Sequence, residues 1–440
     1  MIAKTIRVAG AAAIALFAGA TAAEARIEIQ FWHALSGPLG ERTAKLAADF
    51  NASQNEYEVK AIYKGTYAET MTGAIAAFRA KQHPHIVQVF EVGTATMMAA
   101  RGAVYPVYQL MADAGEPFDP KGFLPAVVGY YTTAAGEMLS MPFNSSTPVM
   151  YYNKDAFKKA GLDPERPPTT WPAVEEAAKK LLAAGYPCGF TTQWPSWIQV
   201  ENWSAWHNQP LGTLENGFGG LATELVINKT RLVEHIKALG EWQKTKIFDY
   251  GGRRGDADPK FFNQQCPIFL ASSAAYAAVR ANAKDFAWGI GKLPYWPHIE
   301  GAPQNTIIGG ASLWVLRGHK PEEYKGVAKF FTFLSSPEVQ ARWHQETGYL
   351  PITPAAYELT KKQGFYEKNP GTETAILQIT NKPPTANSKG LRFGNFVQIR
   401  DIIEEELEAV FQGKKSAQDA LDAAARRGNE LLRQFEKAQG

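Results

Sequence analysis

Cysteine is almost missing from this chain. Cys188 and Cys266 are the only two in 440 residues. They form neither a CxxC nor a spacing that would ligate a metal, which excludes zinc-ribbon and thioredoxin-like chemistry. One disulfide between them suits an oxidising compartment, and two buried thiols on neighbouring strands suit a reducing one. The sequence leaves both open. One-sided charge is missing too: 46 Lys and Arg face 43 Asp and Glu, a net charge of +3 with no basic stripe or acidic tail. Nucleic acid is therefore not an expected partner.

Catalytic signatures are equally scarce. No HExxH, GxxxxGK(S/T) or GxSxG occurs, and "GGASLW" matches the last only superficially. His83 and His85 in "HPH" have no evident third ligand, so they are expected on an exposed loop, with no metal site. "GFGGLATE" follows no strand and reads as a loop, not a phosphate cradle. Glu175–Glu176 and "EEELE" (404–408) read as solvated helix faces; a glycosidase would need two carboxylates placed together. Long apolar runs are absent beyond the first 25 residues, where nothing approaches the ~20 residues that cross a bilayer. Within those 25, Lys4 and Arg7 precede the apolar "VAGAAAIALFAGATA", and "AEA" at Ala23–Ala25 is a small-residue cleavage site. The pattern predicts a signal peptide over residues 1–25, cleaved after Ala25, and a soluble exported chain.

Apolar residues are plentiful at 45%, and aromatics reach 12% with 11 Trp, enough for a large core and for rings that hold a ligand. "IEIQFW", "YEVKAIYKG" and "HIVQVF" read as strands. They alternate with helical "SGPLGERTAKLAADFNAS", with Leu39, Thr43, Leu46 and Phe50 on one face, and "YAETMTGAIAAFRAK", with Met71, Ile75 and Phe78 aligned. A second unit begins near "MPFNSSTPVMYYN", and the last hundred or so residues are mostly helical. Such alternation predicts an α/β architecture in two lobes with a largely parallel sheet and a ligand cleft at the carboxyl ends of strands. Glu91, directly after "VQVF", falls at such an end.

Other polar groups are placed to line the same cleft. "FNSSTPV" sets Asn144–Thr147 between two apolar strands, as a ligand clamp or a hydrogen-bonded turn. "LASSAAYAAVR" brings Ser272 and Ser273 to a helix start, where Ser273 would cap or the serines would meet an anion. "IIGGASLW" gives Gly309 and Gly310 as a bulge or a close approach to ligand. "LRFGNFVQIR" carries Arg392 and Arg400, either exposed helix charges or forks for a phosphate.

The stretches "FWHALSGPLGE", "YKGTYAETM", "VFEVGTATMMA", "PFNSSTPVMYYNKDAFKKAGLDPE", "IIGGASLWV", "WHQETGYLPIT", "GFYEKNPG" and "GLRFGNFVQIRDIIEEELE" closely resemble the periplasmic glycerol-3-phosphate-binding proteins of bacterial ABC importers, in order and over essentially the whole mature chain. The resemblance implies a type II periplasmic-binding-protein fold of two discontinuous α/β lobes, no catalysis, no cofactor and a monomer. It implies ligand contacts at Tyr67, Glu91, Ser146, Trp194, Ser272, Gly310, Tyr349 and Arg400. In "TTQWPSW" the family form is glycine-richer, and Trp197 is the alternative to Trp194. Lobe 1 is expected over 26–143 and 289–347, lobe 2 over 144–288 and 348–440, with crossovers near Asn144–Ser146, Pro294 and Tyr349. The implied ligand is sn-glycerol 3-phosphate, its hydroxyls on Glu91 and its phosphate on the serines, tyrosines, Gly310 N–H and Arg400. The implied partners are membrane permease subunits with their ATPase, in the periplasm. A glycerophosphodiester such as glycerophosphocholine is the competing ligand, its ammonium on Trp194 and Trp197; an oligosaccharide would not need an anion cradle. A secreted phosphodiesterase would need a metal cluster or a nucleophile–base pair, and the sequence offers neither.

Overall fold

The computed structural model describes Met1 and residues 25–439, so the leader expectation lies almost wholly outside the described residues. Strands β1 (Ile27–His33), β2 (Tyr57–Tyr63), β3 (Ile86–Phe90), β4 (Val104–Tyr105) and β5 (Met141–Ser146) come first along the chain. They are followed by β6 (Pro148–Asn153), β7 (Phe190–Thr192), β8 (Ile268–Ser272), β9 (Trp288–Gly291) and β10 (Gly309–Leu316). One sheet has the order β2-β1-β3-β10-β4, with β5 also on β10; the other runs β7-β8-β6-β9. Alternation in "IEIQFWH" buries Ile29, Phe31 and His33, whereas the continuous "IVQVF" of β3 is buried throughout, as a central strand must be.

The sheets are mixed rather than largely parallel. Among the strands of the described residues, β1/β2, β1/β3 and β7/β8 run parallel, while β10 runs antiparallel to β3, β4 and β5, and β6 antiparallel to β8 and β9. The physical reason is connectivity: β10 enters the first sheet only after the chain has left it and returned. Helix Gly37–Ser53 buries Thr43, Leu46, Ala47 and Phe50 as its spacing predicts. In helix Tyr67–Arg79 the buried face is Thr70, Met71 and Ala74, leaving Ile75 at its rim, 38% exposed.

Strand pairing also moves the expected lobe boundaries. Asn144–Ser146 pair with β10, so the first sheet continues to Ser146 and Thr147 is the crossing point. β9 pairs with β6, and residues 293–307 stay pinned to the second lobe: Leu293 N–H donates to Gln378 Oε1 (2.6 Å), Gln304 N–H to Trp206 O (2.8 Å) and Ile307 N–H to Asn202 Oδ1 (3.0 Å). The return therefore falls at Gly309, not 289. Past Tyr349 the chain remains on the first lobe, because Leu350 N–H donates to Ser145 O (2.7 Å) and Leu124 N–H to Ile352 O (2.9 Å). Helix Pro354–Lys362 then packs on helix Pro337–Thr347, and Gly371 reaches β9 at Ile290.

The "HPH" motif is not an exposed loop. His85 is buried and its ring stacks on His319 at 3.8 Å. Ligand atoms of His85, His319 and Glu323 lie within 4.8 Å of one another. However, His85 Nδ1 accepts the Gln30 N–H (3.0 Å), which puts the neutral ring's proton on Nε2, the nitrogen facing Glu323 at 3.7 Å. That nitrogen is a donor in this arrangement, not a metal ligand.

Cys188 and Cys266 are joined, closing the entry to β7 onto the entry to β8 across a sequence separation of 78. A crosslink over a loop of this length restricts the unfolded chain. We predict that the double Cys→Ser variant unfolds in urea with roughly 2–5 kcal/mol less stability than the oxidised protein. Equal midpoints and slopes would show that the bond restrains nothing.

Candidate functional site

β3 ends at Phe90, and the chain turns at once through Glu91–Gly93 into helix Thr94–Ala99. The turn closes tightly over the strand: a Cβ at Gly93 would lie 2.5 Å from Val89 and 2.9 Å from Met71. Glu91 is thereby held, buried, at the carboxyl end of β3. Facing it is helix Phe396–Phe411 of the second lobe, whose first turns carry Arg400 beside buried Phe396, Ile399 and Ile403. Between them runs a π-helical segment, Ser196–Asn202, that follows β7 and carries Glu201; such wide turns concentrate at functional sites.

These three side chains form a buried charge cluster. Arg400 donates from Nε to Glu201 Oε1 (2.8 Å) and from Nη2 to both Glu201 Oε2 and Glu91 Oε1 (2.6 Å each). Burial opposes the charge on Arg400, but the two carboxylates outweigh it and hold its pKa above the usual arginine value. Burial raises the Glu91 carboxyl against the pull of Arg400. With both carboxylates ionised, the cluster carries one excess negative charge. The expectation that Arg400 brings free positive charge to a phosphate is thus corrected: its fork is filled by Glu201, and only Nη1 stands outside these bonds. Arg392 is elsewhere, donating from Nη2 to the carbonyls of Gly129, Tyr130 and Thr132 at the end of helix Pro125–Tyr131.

A cavity of about 400 Å³ lies between the lobes, and the structure brings all eight residues singled out from the sequence to its wall: Tyr67, Glu91, Ser146, Trp194, Ser272, Gly310, Tyr349 and Arg400. Tyr67 is stacked on Phe90 at 5.3 Å and accepts from Asn144 Nδ2 (2.9 Å), while Asn144 Oδ1 accepts from Gln88 Nε2 on β3 (2.8 Å). Tyr349 lies parallel to Trp343 at 5.7 Å. Burial raises the Tyr67 phenol and pushes that of Tyr349 up to about 12, so both remain hydroxyl donors. Gly310 has φ +92° and pairs so closely with β5 that a Cβ would meet Asn144 O at 1.8 Å. Only glycine fits there, and its backbone can approach a ligand. Ser272, not Ser273, is the helix cap, its Oγ accepting from Ala274 N–H (3.1 Å).

Sequence reading missed Gln193, Arg254 and Asp258, which also line the cavity. Asp258 is hydrogen-bonded by Gln193 and raised to about 6 by burial. Trp197 lines it as well, wedged under Gly309, where a Cβ would lie 2.4 Å from the ring. The "EEELE" run is not simply a solvated face. Glu404 and Glu406 are buried; Glu404 Oε1 accepts the Ser196 N–H (2.9 Å), and Glu406 pairs with Lys415 and Arg427.

With this geometry established, comparison with known proteins is decisive. Residues 45–374 match the model of the bacterial extracellular solute-binding proteins. The chain belongs to that family. This solute-binding protein is 54% identical over 411 residues to the sn-glycerol-3-phosphate-binding periplasmic protein UgpB of Salmonella paratyphi A, covering 93% of each chain. It is 52% identical over 439 residues to the UgpB of Pectobacterium atrosepticum, covering 99% of this chain and 98% of that one. Among solved structures, UgpB from Mycobacterium tuberculosis in complex with glycerophosphocholine superposes with TM-score 0.74 at 22% identity, over 92% of this chain and 98% of that one. Maltose-bound MalE3 of T. maritima gives TM-score 0.75 at 20% identity, over 92% and 100%. The fold is the maltose-binding-like, type II periplasmic-binding fold, in two α/β lobes.

Glu404, one helical turn beyond Arg400, offers a pH test. Burial raises its carboxyl to about 7, above the usual ~4.3 of an unfolded chain. The folded state therefore holds a proton that the unfolded state has lost, and stability falls as pH rises between about 4 and 7. Glu404→Gln removes that loss while keeping an acceptor for Ser196. In urea at pH 8 it should exceed wild type by roughly 1–3 kcal/mol, with the difference gone near pH 4. A difference independent of pH would contradict this.

Proposed function

We propose that this protein captures sn-glycerol 3-phosphate in the interlobe cavity and delivers it to the membrane permease of an ABC importer, without catalysis. The observation that carries this reading is the convergence of Tyr67, Glu91, Ser146, Ser272, Gly310, Tyr349 and Arg400 on one cavity in a chain 54% identical to a glycerol-3-phosphate-binding protein. A glycerol phosphate needs acceptors for its hydroxyls and donors for its phosphate. Glu91, with Arg400 Nη1 beside it, meets the hydroxyl end. The phosphate lies away from that cluster, toward the Ser146 and Ser272 hydroxyls, the Gly310 N–H and the two tyrosines. Charge dictates this polarity. A unit negative charge 4 Å from another costs about 4 kcal/mol at an effective dielectric of 20, and Glu91 with Glu201 outnumber Arg400. Export to the periplasm, with cleavage after Ala25, and docking of the ligand-closed form on permease subunits driven by an ATPase complete the proposal.

A glycerophosphodiester is the second reading. A cavity of about 400 Å³ is in the range that takes drug-sized ligands and leaves room beside Trp194 and Trp197 for a head group. Calorimetric titration of ligand-stripped protein with sn-glycerol 3-phosphate, glycerophosphocholine and maltose separates the cases. Heat from the monoester supports capture of glycerol phosphate, heat from the diester alone transfers the function to the second reading, and heat from maltose alone overturns both. In the same titration Glu91→Gln should raise the dissociation constant at least tenfold, about 1.4 kcal/mol. An unchanged constant would remove Glu91 from the hydroxyl end.

A further inference from the structure

Four charged side chains line the cavity: Glu91, Asp258, Arg400 and Arg254. Arg400 is consumed by Glu91 and Glu201. The neighbouring Arg253, in the same "GGRRGDAD" loop, has its fork on Glu408, at 2.8 Å from both Nε and Nη2. Arg254 is different: among the described residues its side chain enters no ion pair and no hydrogen bond, although it stands at the cavity wall. A solvated loop arginine would be the ordinary explanation, but the backbone sets this one apart. Arg254 (φ +53°) and Trp194 (φ +40°) both adopt a left-handed conformation that side-chain-bearing residues seldom take, and Trp194 N–H donates to Arg254 O at 2.9 Å. Two strained residues, tied to one another, hold an aromatic ring and an unpaired guanidinium at the same rim. Strain of this kind persists where surrounding structure enforces it, and it clusters at ligand clamps. The rim also faces the other lobe. The carboxyl of Glu69, on helix Tyr67–Arg79, is lowered first by its hydrogen bonds to Thr66 and further by the charge of Arg254.

We propose that Arg254 is a specificity-determining residue of the cleft, the unpaired cation that meets the ligand's phosphoryl group from the second lobe and so selects anionic over neutral polyols. This rests on the proposed function. Arg254 supplies the charge that Arg400 cannot, and Trp194 sets its direction through the strained backbone bond. A fork of N–H donors on a phosphate oxygen gives both charge and geometry, so Lys at this position keeps the charge and loses the fork.

The test is calorimetric titration of wild type, Arg254→Gln, Arg254→Lys and Glu69→Gln with sn-glycerol 3-phosphate and with glycerophosphocholine, at two sodium chloride concentrations. Arg254→Gln should weaken binding of whichever phosphate ligand wild type takes, by roughly tenfold or more, and should flatten its salt dependence. Arg254→Lys should lie between, keeping the salt dependence. Glu69→Gln should bind as wild type. Because both Arg254 variants keep a non-glycine residue at the same backbone position, a melting temperature equal to wild type for Arg254→Lys confirms that the rim is intact. If Arg254→Gln binds within about twofold of wild type with the same salt slope, the inference is overturned and the proposed function stands. If wild type binds neither phosphate ligand, the proposed function fails and the inference with it.

Discussion

Arg400 holds Glu91 from the first lobe and Glu201 from the second, each at 2.6 Å and each almost wholly out of solvent. A buried guanidinium is tolerable only when its donors are matched, and a buried carboxylate only when it is paired; removing one partner from such a set costs about 3–5 kcal/mol. The cluster therefore fixes three elements at once: the turn after β3, the π-helical segment after β7 and the first turns of helix Phe396–Phe411. It also joins the lobes at the floor of the cavity. Separation of the lobes would pull Glu91 from Arg400, so the geometry of the ligand site and the degree of closure are set by the same contact.

The electrostatic consequence runs against a simple picture in which an arginine in a phosphate site binds the phosphate. Here the conspicuous arginine is spent on protein carboxylates, and what remains at that end is suited to hydroxyl groups. In the proposed pose the other end falls to neutral donors built into rigid backbone: Ser146 at the end of β5, Gly310 on β10 pressed against Asn144 of β5, and Ser272 at the end of β8. Their positions are precise because they lie on paired strands close to the crossing at Thr147, where both sheets meet. An anion held in the proposed way, by neutral hydrogen bonds and one peripheral cation, could be released again, which a receptor that must surrender its ligand requires.

Much of this was legible in the sequence. Glu91 could be placed at a strand tip because the mostly apolar "VQVF" reads as a strand, and the serine and glycine clusters could be placed because they interrupt strands. The resemblance added Tyr67 and Tyr349, whose local pattern alone says little. What was not legible came from pairing between distant segments. Nothing in "SWIQVEN" marks Glu201 as the partner of Arg400, some two hundred residues away. Nothing in "GGRRGDAD" separates the paired Arg253 from the unpaired Arg254. The lobe boundaries slipped for the same reason: β9 and the stretch after it look ready to leave the second lobe, and only Gln378, Trp206 and Asn202 hold them there. The buried Glu404 and Glu406 were hidden in an acidic run because a helical face says nothing about which side will be covered.

The central claim is that the phosphate lies away from a charge cluster that stays intact. A crystal structure of the mature protein with sn-glycerol 3-phosphate tests it most directly. The account predicts Arg400 still within about 3 Å of Glu91 and Glu201, glycerol hydroxyls at Glu91, and phosphate oxygens at Ser146, Ser272 and Gly310. A phosphate gripped by both terminal nitrogens of Arg400, with Glu91 swung aside, would contradict it.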